Sequence, residues 1–130
     1  MSGAGPDIES FEALRFDAAA FDHEAHVYVA RELVLRYGQD DAATRYCRTL
    51  RRLTQQLGVP GKYHETITRF YIITIAERLR RRPADNWEHF RAANPDILDG
   101  TVLAASYSPE RLAAAEARRH FLLPDRQRAA

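Results

Sequence analysis

The chain has little of what builds covalent cross-links, membrane spans or cofactor-binding loops. Its 130 residues include a single cysteine, Cys47, which excludes an internal disulfide and a cysteine-rich zinc site. One cysteine also indicates a reducing compartment. No apolar run approaches the roughly 18 residues that a membrane-spanning helix needs. The first residues lack the basic and apolar regions of a secretory signal, so we expect a cytoplasmic protein with no membrane partner.

An excess of charge of one sign is lacking as well. The chain carries 19 basic and 18 acidic residues, a net charge of +1. Domains that bind nucleic acid are normally clearly basic, so we do not expect a nucleic-acid partner. Rows of arginine on the predicted helices are candidates for a surface that meets an anionic partner, and solvated helix faces are the alternative. These rows are Arg45, Arg48, Arg51 and Arg52, and Arg78 with Arg80, Arg81 and Arg82.

Several motifs that would identify an enzyme are missing. The sequence contains no glycine-rich phosphate loop, no G-x-S-x-G and no H-E-x-x-H. Cys47 falls on the apolar face of its predicted helix, which favours a buried, inert thiol over a nucleophile. His89 and His120 have no paired ligand pattern, so we expect them at the surface or at helix ends.

The composition is that of one ordinary globular domain. Apolar residues make up 45% of the chain and charged residues 28%. A length of 130 residues is typical of a single domain. We expect a disordered N-terminal segment over residues 1–9, a single helical domain over 10–124, and a flexible tail over 125–130.

Apolar residues recur at helical spacing in three long segments. The first begins after the N-cap Asp22 and ends at Gly38, and the second runs from about Asp41 to about Leu57. The third runs from about Tyr63 to Arg82. The β-branched run at 72–75 also suggests a strand, but the length of the segment and its flanking charges favour a helix.

The rest of the chain predicts shorter elements. One or two turns are expected at 86–93, a short helix at 97–105, and a last helix from Ser108 to about 121–123. The connections between the long helices, at 38–40 and 58–62, are short and make consecutive helices antiparallel neighbours. The sequence therefore predicts an all-α fold, a compact helical bundle of three long antiparallel helices plus shorter C-terminal helices.

This topology gathers histidines at one end of the bundle. The first and third helices run parallel, so their N-termini, with His23 and His26 on one and His64 on the other, lie at the same end. His23 and His26 are three residues apart and share a helix face. Glu65 is rotated about 100° from His64, and is a candidate fourth ligand, a partner of those ligands, or the ion-pair partner of Arg69.

Histidines and a carboxylate at such an end are candidate metal ligands. His23, His26, His64 and Glu65 would suit Zn, Fe, Ni or Cu rather than Mg or Ca. A metal with an open coordination position can bind and activate a water molecule. Helix N-termini favour neutral imidazole, the form that binds metal or acts as a base. A metal-free site for a polar ligand and purely structural histidines are the alternatives.

Four segments together carry a resemblance. They resemble a group of small uncharacterised bacterial all-helical proteins over most of the chain from about Phe11. The resemblance implies a bacterial source and that the end of the chain, with Tyr107, Arg118 and Pro124, belongs to the domain. It implies no activity, cofactor or substrate. The segments are FDHEAHVYVA from residue 21, GKYHETITRFY from 61, NPDILD from 94 and YSPERLAAAEARRHFLLPD from 107.

Two functions of different classes follow. The first is a metal-dependent or acid–base site with the three histidines as ligands or bases and Tyr63, Thr68 and Tyr71 lining the pocket. In it, Arg69 or an arginine of the last helix holds an anionic group of a small ligand. The second is a non-enzymatic interaction module, or a homodimer, in which the histidines are structural. The sequence leaves open whether the protein is an enzyme.

Overall fold

All regular structure in the described part of the chain is helical. The computed structural model describes residues 4–126, and within that range it contains α-helices and two short 3₁₀ turns but no strand. The predicted all-α fold is thereby confirmed. The helices are α1 (Ile8–Glu12), α2 (His23–Tyr37), α3 (Gln39–Gln56), α4 (Glu65–Arg81), α5 (Trp87–Ala93), α6 (Pro95–Leu98), α7 (Thr101–Ser106), α8 (Pro109–Ala113) and α9 (Ala115–Arg119), and the 3₁₀ turns are Ala18–Ala20 and Pro60–Lys62.

The three long helices α2, α3 and α4 pack against one another and form the body of the domain. The Asp22 side chain caps α2 by accepting a hydrogen bond from the Ala25 N–H at 2.9 Å. Gly38 lies between α2 and α3 with φ +83°, a backbone conformation that favours glycine and reverses the chain within one residue. The helices therefore run up, down and up, as the short connections predict.

Helix α4 lies at the centre of the bundle. Ile72 and Ile75 are fully buried and Ala76 is 2% exposed, whereas Ile73 between them is only half-buried. Burial at steps of three and four residues is helical spacing. A strand at 72–75 is therefore excluded, because these β-branched residues belong to a helix that packs in the core.

The C-terminal helices are more broken than the sequence predicts. The expected helix at 97–105 is two helices, α6 and α7, separated at Gly100, which has φ +82°. The expected last helix is also two, since Ala114 is extended with φ −65° and ψ 140°. This break lets α9 contact α4 and bury Ala117 completely, which fixes the end of the chain on the bundle.

The two chain ends, expected to be disordered over 1–9 and flexible over 125–130, contact the rest of the domain where they are described. Helix α1 begins at Ile8, which is 4% exposed, and the side chain of Asp7 caps it. At the other end Asp125 accepts hydrogen bonds from the Ser108 N–H at 2.8 Å and from its hydroxyl at 2.6 Å. The remaining residues of those two expectations, 1–3 and 127–130, lie outside the described range.

A search of the described helices for a membrane span finds none that combines the necessary length with sufficient apolar character.

Candidate functional site

The first turns of α2 and α4, together with one face of α3, enclose a cavity of about 410 Å³. Its size falls in the lower part of the range for small-molecule sites. The lining is mainly aromatic and aliphatic, and all three predicted histidines contribute to it. The lining residues are Phe21, Asp22, His23, His26, Val27, Tyr46, Leu50, Leu53, Thr54, Lys62, Tyr63, His64, Ile67, Thr68 and Tyr71.

His23 is held at the cavity by a distant backbone group. Its Nε2–H donates a hydrogen bond to the carbonyl oxygen of Ile97 at 2.9 Å. Its ring meets the ring of Tyr71 edge-on, with centroids 5.2 Å apart. In the neutral ring the other nitrogen, Nδ1, then carries the lone pair and is a hydrogen-bond acceptor.

His26 is anchored through the opposite nitrogen. Its Nδ1–H donates to the carbonyl oxygen of Asp22 at 2.7 Å, and its ring lies 4.1 Å from that of Phe21. Burial lowers the pKa of His26 below its ordinary value, and the nearby His23 acts in the same direction. The ring is therefore neutral near pH 7, and its Nε2 is a hydrogen-bond acceptor.

His64 has no ring nitrogen left for a ligand. Helix α4 begins at Glu65, so His64 is its N-cap, and Nδ1 accepts a hydrogen bond from the Ile67 N–H at 3.2 Å. Its Nε2–H donates to the carbonyl oxygen of Leu112 at 2.8 Å. With both nitrogens bonded to the backbone, His64 joins α4 to α8 and shapes the cavity wall.

Glu65 points away from the cavity into a cluster of donors. Its buried carboxylate accepts hydrogen bonds from the Tyr63 hydroxyl at 2.6 Å, from Arg51 at 2.7 Å and from Arg69 one turn along α4. Burial alone would raise the pKa of Glu65, but the hydrogen bonds from Tyr63 and Arg69 and the charge of Arg51 lower it below its ordinary value. Glu65 is thus an ionised group within an internal ion-pair network.

The predicted set of four metal ligands is not assembled. Residues 4–126 contain no group of three or more His, Cys, Asp or Glu side chains that could hold a metal ion. The structure does bring His23, His26 and His64 to one cavity. However, the backbone occupies both nitrogens of His64, and Glu65 is held by Tyr63 and two arginines.

The residues predicted to line a ligand pocket divide in a similar way. Tyr63, Thr68 and Tyr71 line the cavity, whereas Arg69 is bound to Glu65 and does not. The Thr68 hydroxyl donates to the carbonyl oxygen of His64 at 2.7 Å. Burial raises the pKa of Tyr71 to about 12, so this phenol is protonated at neutral pH.

Sequence reasoning missed the contribution of α3 to the cavity. Tyr46, Leu50 and Leu53 form one wall, and Lys62 of the following 3₁₀ turn also lines the site. The spacing of these α3 residues marks one apolar helix face, which predicts burial but does not distinguish a packed core from a cavity wall.

The predicted arginine rows are largely paired within the chain. Arg45 contacts Glu12 at 2.9 Å and Arg78 contacts Asp96 at 2.6 Å, both through side chains, and Arg52 donates to a backbone carbonyl. These arginines therefore hold neighbouring elements together. Cys47 is buried as expected, and burial raises the pKa of its thiol.

Comparisons of the chain with protein-family models, with curated proteins and with solved structures give no match. The resemblance to small bacterial helical proteins therefore stays a prediction.

Proposed function

We propose that the cavity between α2, α3 and α4 binds a small, largely apolar molecule that carries a hydroxyl or N–H group. The observation that carries this proposal is the anchoring of two histidine rings by backbone carbonyls. Ile97 and Asp22 each take the N–H of one ring. The lone-pair nitrogens of His23 and His26 are then acceptors that a hydrogen-bond donor on the ligand satisfies.

The apolar lining supports the rest of the ligand. Rings of Phe21, Tyr46 and Tyr71, with aliphatic side chains of α3, surround most of the space. Burial of apolar surface supplies affinity in such a site, and a few polar groups set orientation. A single aromatic ring with one donor group fits within this cavity and matches its polarity.

The metal form of the hypothesis has less support. Only His23 and His26 would offer lone-pair nitrogens to a metal ion. The ion would therefore need further ligands that the side chains of residues 4–126 do not supply. Structural metal sites usually take four protein ligands and catalytic zinc sites three. The binding experiment therefore has to distinguish a divalent transition metal from a small organic ligand.

The hypothesis of a non-enzymatic interaction module or homodimer also has less support than ligand binding. Among residues 4–126 the strongly exposed large apolar side chains are Leu35, Leu57 and Leu123, each on a different part of the chain. They do not by themselves define a docking face or a dimer interface.

Phenol and its methyl ether, anisole, test the proposal as a matched pair of probes. Both rings fit the cavity, but only phenol donates a hydrogen bond. Lys62 is the only lysine, so reductive ¹³C-methylation gives one lysine signal at the cavity, which reports binding by NMR. We expect phenol to bind about tenfold more tightly than anisole, the usual worth of one hydrogen bond in a buried site.

The variant His26→Phe keeps a ring against Phe21 but removes the acceptor. It should reduce the preference for phenol over anisole, and the added change His23→Phe should abolish that preference, whereas His89→Phe at an exposed position should leave both affinities unaltered. Equal binding of phenol and anisole by the unmodified protein would contradict the proposal. Stoichiometric binding of Zn²⁺ with shifts of the His23 and His26 ring signals would support the metal form instead.

A further inference from the structure

A second, open cavity of about 470 Å³ lies where α9 meets the connection between α3 and α4. Arginine dominates its lining, and the set contains no acidic residue. The lining residues are Arg51, Pro60, Gly61, Tyr63, Ala115, Arg118 and Arg119. The arginine rows along single helices do not reveal this cluster, because two of its cations come from α9 and one from α3.

The positive charge at this cavity exceeds what the acidic groups of residues 4–126 neutralise. The carboxylate of Glu65 contacts Arg51 and also Arg69, so one negative charge is shared between two arginines. Arg118 and Arg119 form no ion pair with any residue of the described range. A surplus of positive charge therefore remains on one small surface, where it favours an anion.

Two of the guanidinium groups are held in position by the protein. Arg51 is fixed by Glu65 at 2.7 Å and lies over the Tyr63 ring at 5.0 Å from its centroid. Arg118 donates through Nη1 to the carbonyl oxygen of Gly61 at 2.8 Å. Each guanidinium has five N–H donors, so both retain donors after these bonds. Positioned donors bind an anion with a smaller loss of side-chain entropy.

We infer that this cavity, through Arg51, Arg118 and Arg119, binds a phosphate group. Guanidinium groups that approach from two helices suit a tetrahedral oxyanion with several acceptor oxygens, and they pair with phosphate through charge-assisted hydrogen bonds. The inference does not depend on the function proposed for the histidine cavity, because the two sites have only Tyr63 in common.

Titration with inorganic phosphate at constant ionic strength tests this inference. The Nε–H signals of Arg51, Arg118 and Arg119 should shift together in NMR spectra and give one dissociation constant. A parallel titration with phenyl phosphate distinguishes a site for the free ion from one for an organic phosphate. Tighter binding of phenyl phosphate would indicate the organic phosphate, and equal binding the ion.

The variant Arg119→Gln should weaken phosphate binding about tenfold, since it removes a charged donor that forms no hydrogen bond with residues 4–126. Arg81→Gln is the matched control. It removes the same charge from an exposed site at the other end of α4, about 24 Å along the helix. Absence of phosphate-dependent shifts, or equal weakening by both variants, would overturn the inference.

Discussion

At the scale of single residues, hydrogen-bond partners decide which candidate groups are available for chemistry. His23 and His26 each give one N–H to the backbone and keep one acceptor nitrogen. His64 uses both nitrogens as a helix cap and a link to α8. Residue type and helix position suggested three equivalent histidines, but the structure separates two rings with one backbone hydrogen bond each from a third ring with two.

Glu65 provides a prediction at this scale. We expect Glu65→Gln to lower the free energy of unfolding by about 1 to 3 kcal/mol near pH 7, because charged hydrogen bonds to Tyr63, Arg51 and Arg69 are lost. The folded-state pKa of Glu65 lies below its unfolded value. The ionised Glu65 carboxylate therefore makes its full contribution to the free energy of unfolding above about pH 5. That contribution is lost as the pH falls through the folded-state pKa.

Urea unfolding of both proteins at neutral and acid pH measures this effect. The difference between wild type and Glu65→Gln should shrink toward zero in acid, while the exposed Glu110→Gln should change stability little at either pH. A difference that is independent of pH would show that the carboxylate charge is not what stabilises the fold.

The partners of these residues explain why the site was only partly predictable. Helical topology was enough to place His23 and His26 near His64, because short connections order the helices. The groups that occupy their nitrogens lie far away in the sequence, since Ile97 is 74 residues from His23 and Leu112 is 48 residues from His64. No local pattern reports such contacts.

At the scale of elements, α4 organises the domain. It packs against α2, α3 and α9, and its first turn holds the C-terminal segment. The Thr66 hydroxyl donates to the carbonyl oxygen of His120 at 2.7 Å and accepts from the Leu122 N–H at 3.1 Å. The start of this helix thus links both cavities and the end of the chain.

Two neighbouring residues of α4 give a prediction for this element. Ile72→Ala should lower the free energy of unfolding by about 2 to 5 kcal/mol, because it leaves a cavity around a fully buried side chain. Ile73→Ala should cost about 1 kcal/mol or less, since Ile73 is only half-buried. Chemical denaturation of the two variants compares them directly, and equal losses would be inconsistent with the burial pattern of α4.

The contrast between long and short helices shows where sequence patterns are sufficient. Asp22 and Gly38 bound α2 through local capping and turn geometry, so its limits were predicted closely. The breaks at Gly100 and Ala114 were not predicted. They depend on the way α7, α8 and α9 fold back onto α4, and such contacts override local propensity.

At the scale of the whole molecule, one hydrophobic core connects the helices. It extends from Phe11 in α1 through the long helices to Phe90 and Ile97 near the C-terminal half. Trp87 of α5, the only tryptophan, packs edge-on against Tyr28 of α2 with ring centroids 5.3 Å apart. A single continuous core indicates cooperative unfolding.

We therefore expect the described domain to unfold in one transition. The fluorescence of Trp87 should change at the same urea concentration as the far-UV circular dichroism, because α5 is attached to the same core as α2, α3 and α4. An earlier change in fluorescence would instead show that α5 and its surroundings detach before the long helices unfold.

Tyr63 is part of the walls of both cavities, with its hydroxyl on Glu65 and its ring beneath Arg51. A guest molecule in the first cavity and an ion in the second would touch the same side chain. If one occupant shifts the Tyr63 ring, the affinity of the other site changes. Thermodynamic reciprocity then requires each occupant to change the affinity for the other by the same factor. Occupancy of the two sites would then be communicated through a single aromatic residue.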